Sequence, residues 1–186
     1  MDNTDTAGVK PLCIIIDGRS GAGKTTLALH WVEQLAQLGP AECTPVELVQ
    51  CEYLYEGWSG LAKAAIILAR DVFSPAHSYH PWDWYADQWS DQLCTINPQS
   101  HLVVEGCGSI TAEVIAAAEN YYEVMTVDLH VPADIRKQRA LARSPEMAPF
   151  WDMWAAQEDI HRSGMPDVQW TIGSPRPPRL RQSARP

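Results

Sequence analysis

The chain has 186 residues, 46% hydrophobic and 20% charged, which is one domain's worth of material with the balance of a folded globular protein. At this length about two-thirds of the unfolded surface is buried on folding, so no disulfide or metal staple is required. Fourteen Lys and Arg stand against 23 Asp and Glu, a formal net charge of -9, and a body this acidic repels a nucleic-acid backbone, which excludes a general DNA or RNA binder.

No apolar run approaches the ~20 residues of a membrane span. The run Leu12 to Ile16 follows an acidic leader, without the basic and long apolar regions of a signal peptide. Cys13, Cys43, Cys51, Cys94 and Cys107 are an odd set with no C-x-x-C spacing. They fit neither a zinc ribbon nor a disulfide framework and point to reduced thiols in a cytoplasmic protein.

Residues 1–10 read as a flexible leader. Pro11 to Asp17 is a short β-branched run closed by a glycine, the pattern of a buried strand. Lys24 to Leu38 carries Leu27, Trp31, Leu35 and Leu38 at helical spacing, and Gly39-Pro40 stops it. Val46 to Gln50 is a candidate second strand, Gly57 to Phe73 a helix ended by Ser74-Pro75, and Trp82 to Leu93 a tryptophan-rich helix. His101 to Glu105 is a clear buried strand. Thr111 to Glu119 reads as a helix, Glu123 to Val131 as a strand, and Ala133 to Arg143 as a helix with Pro132 in its first turn. Phe150 to His161 is one more helix and Val168 to Ile172 the last strand. Strands that are continuous apolar runs and alternate with helices predict an α/β fold: a mostly parallel sheet in three layers, spanning 11–173. The segment 174–186 has four prolines, four arginines and no core-forming run, and reads as a disordered tail.

Gly18-Arg-Ser-Gly-Ala-Gly-Lys24-Thr25 fits G-x-x-x-x-G-K-[ST] between a strand and a helix, the context a phosphate-binding P-loop needs. Glycines let successive N–H groups converge on one anion, and the helix N-terminus adds positive potential. Gly18, Ser20, Gly21, Ala22, Gly23, Lys24, Thr25 and Thr26 are thus expected at a nucleotide's phosphates, with Lys24 on the β- and γ-phosphates and the Thr25 hydroxyl on Mg²⁺. After the second strand, Glu52 is the nearest carboxylate able to accept a hydroxyl proton or hold the metal, with Glu56 farther out and a solvated surface acid the alternative. Glu105 ends a buried strand, where a charge needs a partner. Either it holds the metal or it caps the next helix. Arg136, Arg139 and Arg143 share a helix face at spacings of three and four, as a cationic stripe over the phosphates or as a solvated face. Of the eight tryptophans, Trp58, Trp82, Trp84 and Trp89 cluster in the middle and Trp151 and Trp154 lie late. They stack on a ligand ring or fill the core. The histidines show no ligand spacing and read as incidental.

In this order the pieces resemble the uridine kinase-like P-loop kinases, a group that includes phosphoribulokinase and pantothenate kinase. Ile16-Asp-Gly-Arg-Ser-Gly-Ala-Gly-Lys-Thr-Thr26 matches their first strand and P-loop. Glu52-Tyr-Leu-Tyr55 stands where they have D-S-F-Y, Glu105-Gly106 where they have E-G, and Arg136, Arg139 and Arg143 along their lid-side helix. A group of small bacterial P-loop proteins of unassigned substrate is closer still. Their D-D-F-Y-P-G-W-x-G-L and W-D-W stretches correspond to Glu52 to Leu61 and to Trp82-Asp83-Trp84. The chain keeps Glu52 in place of both aspartates of that loop, and has Ser144-Pro-Glu-Met-Ala-Pro149 where uridine kinases carry R-G-R. The resemblance implies transfer of phosphate from ATP–Mg²⁺ to a hydroxyl of a small molecule, with a nucleoside as the leading acceptor. Glu52 is then the base. Lys24 and Arg139 are catalytic, and Arg139 and Arg143 lie on the nucleotide. Thr25, Glu52 and Glu105 hold the metal, and Trp58, Asp83 and Arg136 face the acceptor. The other readings are a nucleotide-binding regulator or slow ATPase, and a nucleoside monophosphate kinase using Arg19, Lys63 or Arg70 as its second cationic pocket.

Overall fold

The structure is a computed structural model that describes residues 10–38 and 45–173. The proposed leader up to residue 9, the Gly39-Pro40 stop, Cys43 and the tail 174–186 lie outside the described residues. In chain order the elements are β1 (Leu12–Gly18), α1 (Lys24–Leu38), β2 (Val46–Gln50), α2 (Leu61–Ile67), β3 (Ser78–Tyr79), β4 (Trp82–Asp83), β5 (Gln88–Trp89), β6 (Cys94–Thr95), β7 (His101–Glu105), α3 (Ala112–Ala118), β8 (Glu123–Leu129), α4 (Ala133–Arg143), α5 (Trp151–Gly164) and β9 (Trp170–Ile172).

Five strands form one sheet in the order β2-β7-β1-β8-β9, and every neighbouring pair in it is parallel. Alternation along β1 builds a core on each face. Cys13 and Ile15 join Val49, Leu102 and Val104 against α2, α3 and α5. Ile14 and Ile16 join Val103, Val127 and Leu129 against Ala28 and Leu35 of α1. This is the three-layer α/β arrangement that the apolar strands predict. No helix among the described residues is long and apolar enough to cross a membrane.

Two helices differ from the sequence reading. Gly57 to Phe73 starts as a 3₁₀ turn at Gly57–Ser59, becomes α-helical only at Leu61, and widens into a π turn at Leu68–Val72. Trp82 to Leu93 is not helical: β4 and β5 form an antiparallel ribbon, and β3 and β6 another. Trp82 and Trp89 face each other across the first ribbon with ring centroids 5.1 Å apart. Cross-strand ring packing of this kind outweighs a weak helical pattern. Pro132 stands one residue before α4, as its N-cap rather than inside it.

Asp17 fastens the end of β1. Its carboxylate is 1% exposed. It accepts from the amides of Gly18 at 2.6 Å, Ile110 at 2.9 Å and Gly108 at 3.3 Å, and from His161 Nε2 at 2.8 Å. Burial pushes its pKa up, but His161 and the amides outweigh burial and hold it below the ordinary value. A carboxylate depressed on folding contributes stability above its unfolded pKa of about 3.9, lost as pH falls through the folded value. Asp17→Asn is therefore expected to lower unfolding free energy at pH 7 by about 1–3 kcal/mol, read as a lower urea midpoint at unchanged slope. The gap to wild type should close below about pH 4.

Candidate functional site

The loop between β1 and α1 turns on positive φ at Gly18, Gly21 and Gly23. At Gly21 a Cβ would lie 2.2 Å from the Arg136 carbonyl oxygen, so only glycine lets the loop pass this close to α4. The helix α1 begins at Lys24 without a gap and runs for 15 residues, which aims its N-terminal amides and positive end at the loop. Lys24 is buried and donates to Cys107 Sγ at 3.2 Å and to the Arg19 carbonyl at 3.3 Å. Burial opposes its charge, but Cys107, Glu105 and Asp17 together favour the ammonium and set its pKa above that of an ordinary lysine.

Parallel pairing puts Glu105 opposite Ile16, one strand over from the loop. Glu105 is 4% exposed, and its Oε1 accepts from Thr25 Oγ1 at 2.9 Å and Gln50 Nε2 at 3.2 Å. A hydroxyl and a carboxylate oxygen held this close, beside a loop of amides, are hard donors of the kind Mg²⁺ takes together with phosphate oxygens. No group of three or more His, Cys, Asp or Glu able to hold a metal occurs among the described residues. Glu52 stands in the 3₁₀ turn Cys51–Tyr53 directly after β2. Desolvation, then repulsion from Glu105, raises its pKa against the opposing pull of Arg143 and Lys24.

These groups open onto one cleft of about 760 Å³. Ser20, Gly21, Gly23, Lys24, Thr25 and Thr26 line it from the loop and the start of α1. Glu52, Glu105 and Arg143 line it as well, together with an aromatic wall. There Trp58 stacks on Phe150 at 4.8 Å with 9° between the planes, meets Trp84 at 5.1 Å, and stands edge-on to Trp154 at 6.3 Å. Tyr55 packs edge-on to Trp154 at 4.9 Å. Trp84 Nε1 donates to the Glu52 carbonyl at 2.9 Å, tying the β4–β5 ribbon to the turn that bears Glu52. Glu56 lies outside the cleft and pairs with Lys63 at 3.1 Å.

Three expectations need correction. Asp83 does not line the cleft. It is exposed, and its carboxylate accepts from the amides of Tyr85 and Ala86, closing the ribbon's turn. Strand alternation sends Trp82 inward and Asp83 outward. Arg136 is 7% exposed and donates to the carbonyls of Ser20 and Val131, beneath the loop rather than toward an acceptor. Arg139 is exposed and does not line the cleft, whereas Arg143 does. Seven residues of helix separate Arg136 from Arg143 by about 10 Å along the axis, so one stripe serves two different places. The histidines are not all incidental, since His161 holds Asp17, and His130 bonds Asp128 at 2.7 Å.

The sequence reading passed over Glu158 and Cys107. Glu158 is 3% exposed and accepts the Ser20 N–H at 2.6 Å. Around it on α5, Arg19 pairs with Asp159, and Arg162 donates to both Asp128 oxygens at 3.0 and 2.7 Å. The signal lay in the helical phase: Trp151, Trp154 and Glu158 follow at spacings of three and four, putting a carboxylate on the face of two buried indoles. Cys107 carried no signal beyond following Glu105-Gly106.

No family model and no curated protein matches the chain. Solved structures do. A candidate fructose transport system kinase from Silicibacter sp. TM1040 is similar with a TM-score of 0.53 and 16% identity, over 90% of this chain and 92% of that one. A candidate uridine kinase from Bacillus stearothermophilus is similar with a TM-score of 0.54 and 16% identity, over 88% and 89%. The fold is that of the P-loop kinases.

A nucleoside triphosphate with Mg²⁺ is expected to raise the wild-type melting temperature, since a ligand at 100 times its Kd adds about 2.7 kcal/mol. Lys24→Ala should lose most of that shift while keeping its own unliganded transition cooperative, and Glu105→Gln should lose the Mg²⁺-dependent part. Differential scanning calorimetry checks both.

Proposed function

We propose that the protein is a cytoplasmic kinase that transfers the γ-phosphoryl group of ATP to a hydroxyl of a small, ring-bearing molecule, a nucleoside being the leading form. The supporting observation is one cleft lined by the P-loop, the Thr25–Glu105 contact, Glu52 and a wall of rings. The P-loop amides and Lys24 hold the β- and γ-phosphates. Thr25 and Glu105, with Glu52 at their side, would hold Mg²⁺, which supplies charge neutralisation between the phosphates. Glu52 takes the proton of the attacking hydroxyl as the new O–P bond forms and the bond to ADP breaks, and its raised pKa makes it a better base than an ordinary glutamate. Arg143 lies where it can meet charge on the transferring group. The indoles of Trp58, Trp84 and Trp154 offer apolar surface to a flat acceptor.

An acceptor that already carries a phosphate fits less well. Arg19, Lys63 and Arg70 pair with Asp159, Glu56 and Asp71, and none of the three lines the cleft. The replacement of two family aspartates by Glu52 alone favours a second reading, a slow ATPase or nucleotide-binding regulator. ADP release measured with and without a panel of hydroxyl compounds separates the two. A kinase is stimulated by its acceptor and a regulator is not.

Glu52→Gln is expected to lower kcat by about 10²–10⁴-fold and to change ATP affinity by only a few-fold, because base catalysis acts in the transition state. Wild-type turnover should fall as pH drops through the Glu52 pKa, and Glu52→Gln should flatten that acid limb. A steady-state pH profile of both proteins decides it.

A further inference from the structure

The backbone of Ser20 is gripped on both sides of its Cα by one ion pair. Its N–H donates to Glu158 Oε1 at 2.6 Å, and its carbonyl accepts from Arg136 Nη1 at 3.1 Å. The two side chains approach to 3.9 Å and are 3% and 7% exposed. The same Glu158 oxygen lies 3.5 Å from Cys107 Sγ, and Lys24 Nζ rests on that sulfur at 3.2 Å. One carboxylate thus holds the loop backbone directly and Lys24 through a thiol.

We infer that Arg136 and Glu158 are the positioning residues of the P-loop: they fix the Ser20 backbone so that the amides after it converge on phosphate before any ligand arrives. This rests on the phosphate-binding reading of the loop. A segment with glycine at Gly18, Gly21 and Gly23 is free to take many backbone shapes, and amides that must converge on one anion bind weakly unless something else sets that shape. Ser20 is the last residue before the sharp turn at Gly21, where the Arg136 backbone is already in contact range. A bare carboxylate here would repel phosphate. Arg136 on one side and Arg19, 3.8 Å away, on the other neutralise it. The carboxylate gives a hydrogen-bond acceptor at the loop without leaving net negative charge.

The test compares wild type, Glu158→Gln, and the double variant Arg136→Met with Glu158→Met. The double variant removes both charges together, so no lone buried charge is left to unfold the protein. Two quantities are read: exchange of the Ser20 amide hydrogen without nucleotide, by NMR, and the Kd of Mg²⁺ with a non-hydrolysable ATP analogue, by calorimetry. Glu158→Gln keeps an acceptor oxygen for Ser20, so its amide should stay protected and its Kd lie within about threefold of wild type. The double variant should show at least tenfold faster Ser20 exchange and at least tenfold weaker binding, with its global unfolding still cooperative. Wild-type exchange or affinity in the double variant overturns the inference, as does an equal loss in Glu158→Gln, which would make charge rather than the hydrogen bond the cause. If the double variant does not fold, Glu158→Leu, which removes the acceptor of the Ser20 N–H, is read against Glu158→Gln: at least tenfold faster exchange and weaker binding in the first than in the second supports the inference, and equal values overturn it. If wild type binds no nucleotide analogue, the phosphate reading itself falls and the positioning role with it. Slow Ser20 exchange would then report only a structural brace.

Discussion

The proposed phosphate reading of the loop requires backbone N–H groups that stay unpaired and point at one place, in a chain with a formal charge of -9. Unpaired donors are unstable company in a folded protein, so the loop needs support that does not occupy them. Here the support comes from behind. Asp17 takes the amide of Gly18, Glu158 takes that of Ser20, and Arg136 takes the Ser20 carbonyl. The Ala22 amide is spent inside the loop on the Arg19 carbonyl at 3.1 Å, and Gly21, Gly23, Lys24, Thr25 and Thr26 line the cleft at the N-terminus of α1.

The placement of α5 follows from the same demand. Residues 157–162 meet the rest of the molecule almost one by one. Gln157 bonds Trp58 and Leu61, Glu158 bonds Ser20, His161 bonds Asp17, and Arg162 bonds Asp128. One turn earlier the same helix supplies Trp154 to the aromatic wall. A single rigid element therefore carries part of the aromatic wall and part of the loop's support. Among the described residues that line the cleft, the cations are Lys24 and Arg143. The acidic surface elsewhere does not compete, because local amides and two placed cations act at short range in a partly desolvated site.

The aromatic wall of the cleft owes its form to side-chain packing between segments far apart in the chain. Trp58 comes from the turn after β2, Trp84 from the β4–β5 ribbon, Phe150 from the 3₁₀ segment before α5, and Trp154 from α5 itself. Ring contacts at 4.8 to 6.3 Å hold the four together, and aromatic pairs contribute beyond their buried area. Trp82 spends its ring on Trp89 instead.

The sequence by itself determined the parallel sheet, the P-loop and the position of Glu105. Each rests on local chemistry: a β-branched run has no better place than a buried strand, and G-x-x-x-x-G-K-[ST] between strand and helix constrains its own backbone. Tertiary structure alone decided which charges serve the site. Arg136 and Arg143 look alike on a helical wheel, yet seven residues of rise put one under the loop and the other in the cleft. Asp83 has the residues of a ligand-binding segment around it, but the ribbon's alternation turns it to solvent and spends its Oδ1 on two amides. Glu158 lies 138 residues from Ser20, and no local pattern can announce a partner at that distance. A charge takes its role from what packing brings within hydrogen-bond reach, and that is a property of the folded chain and not of any stretch of it.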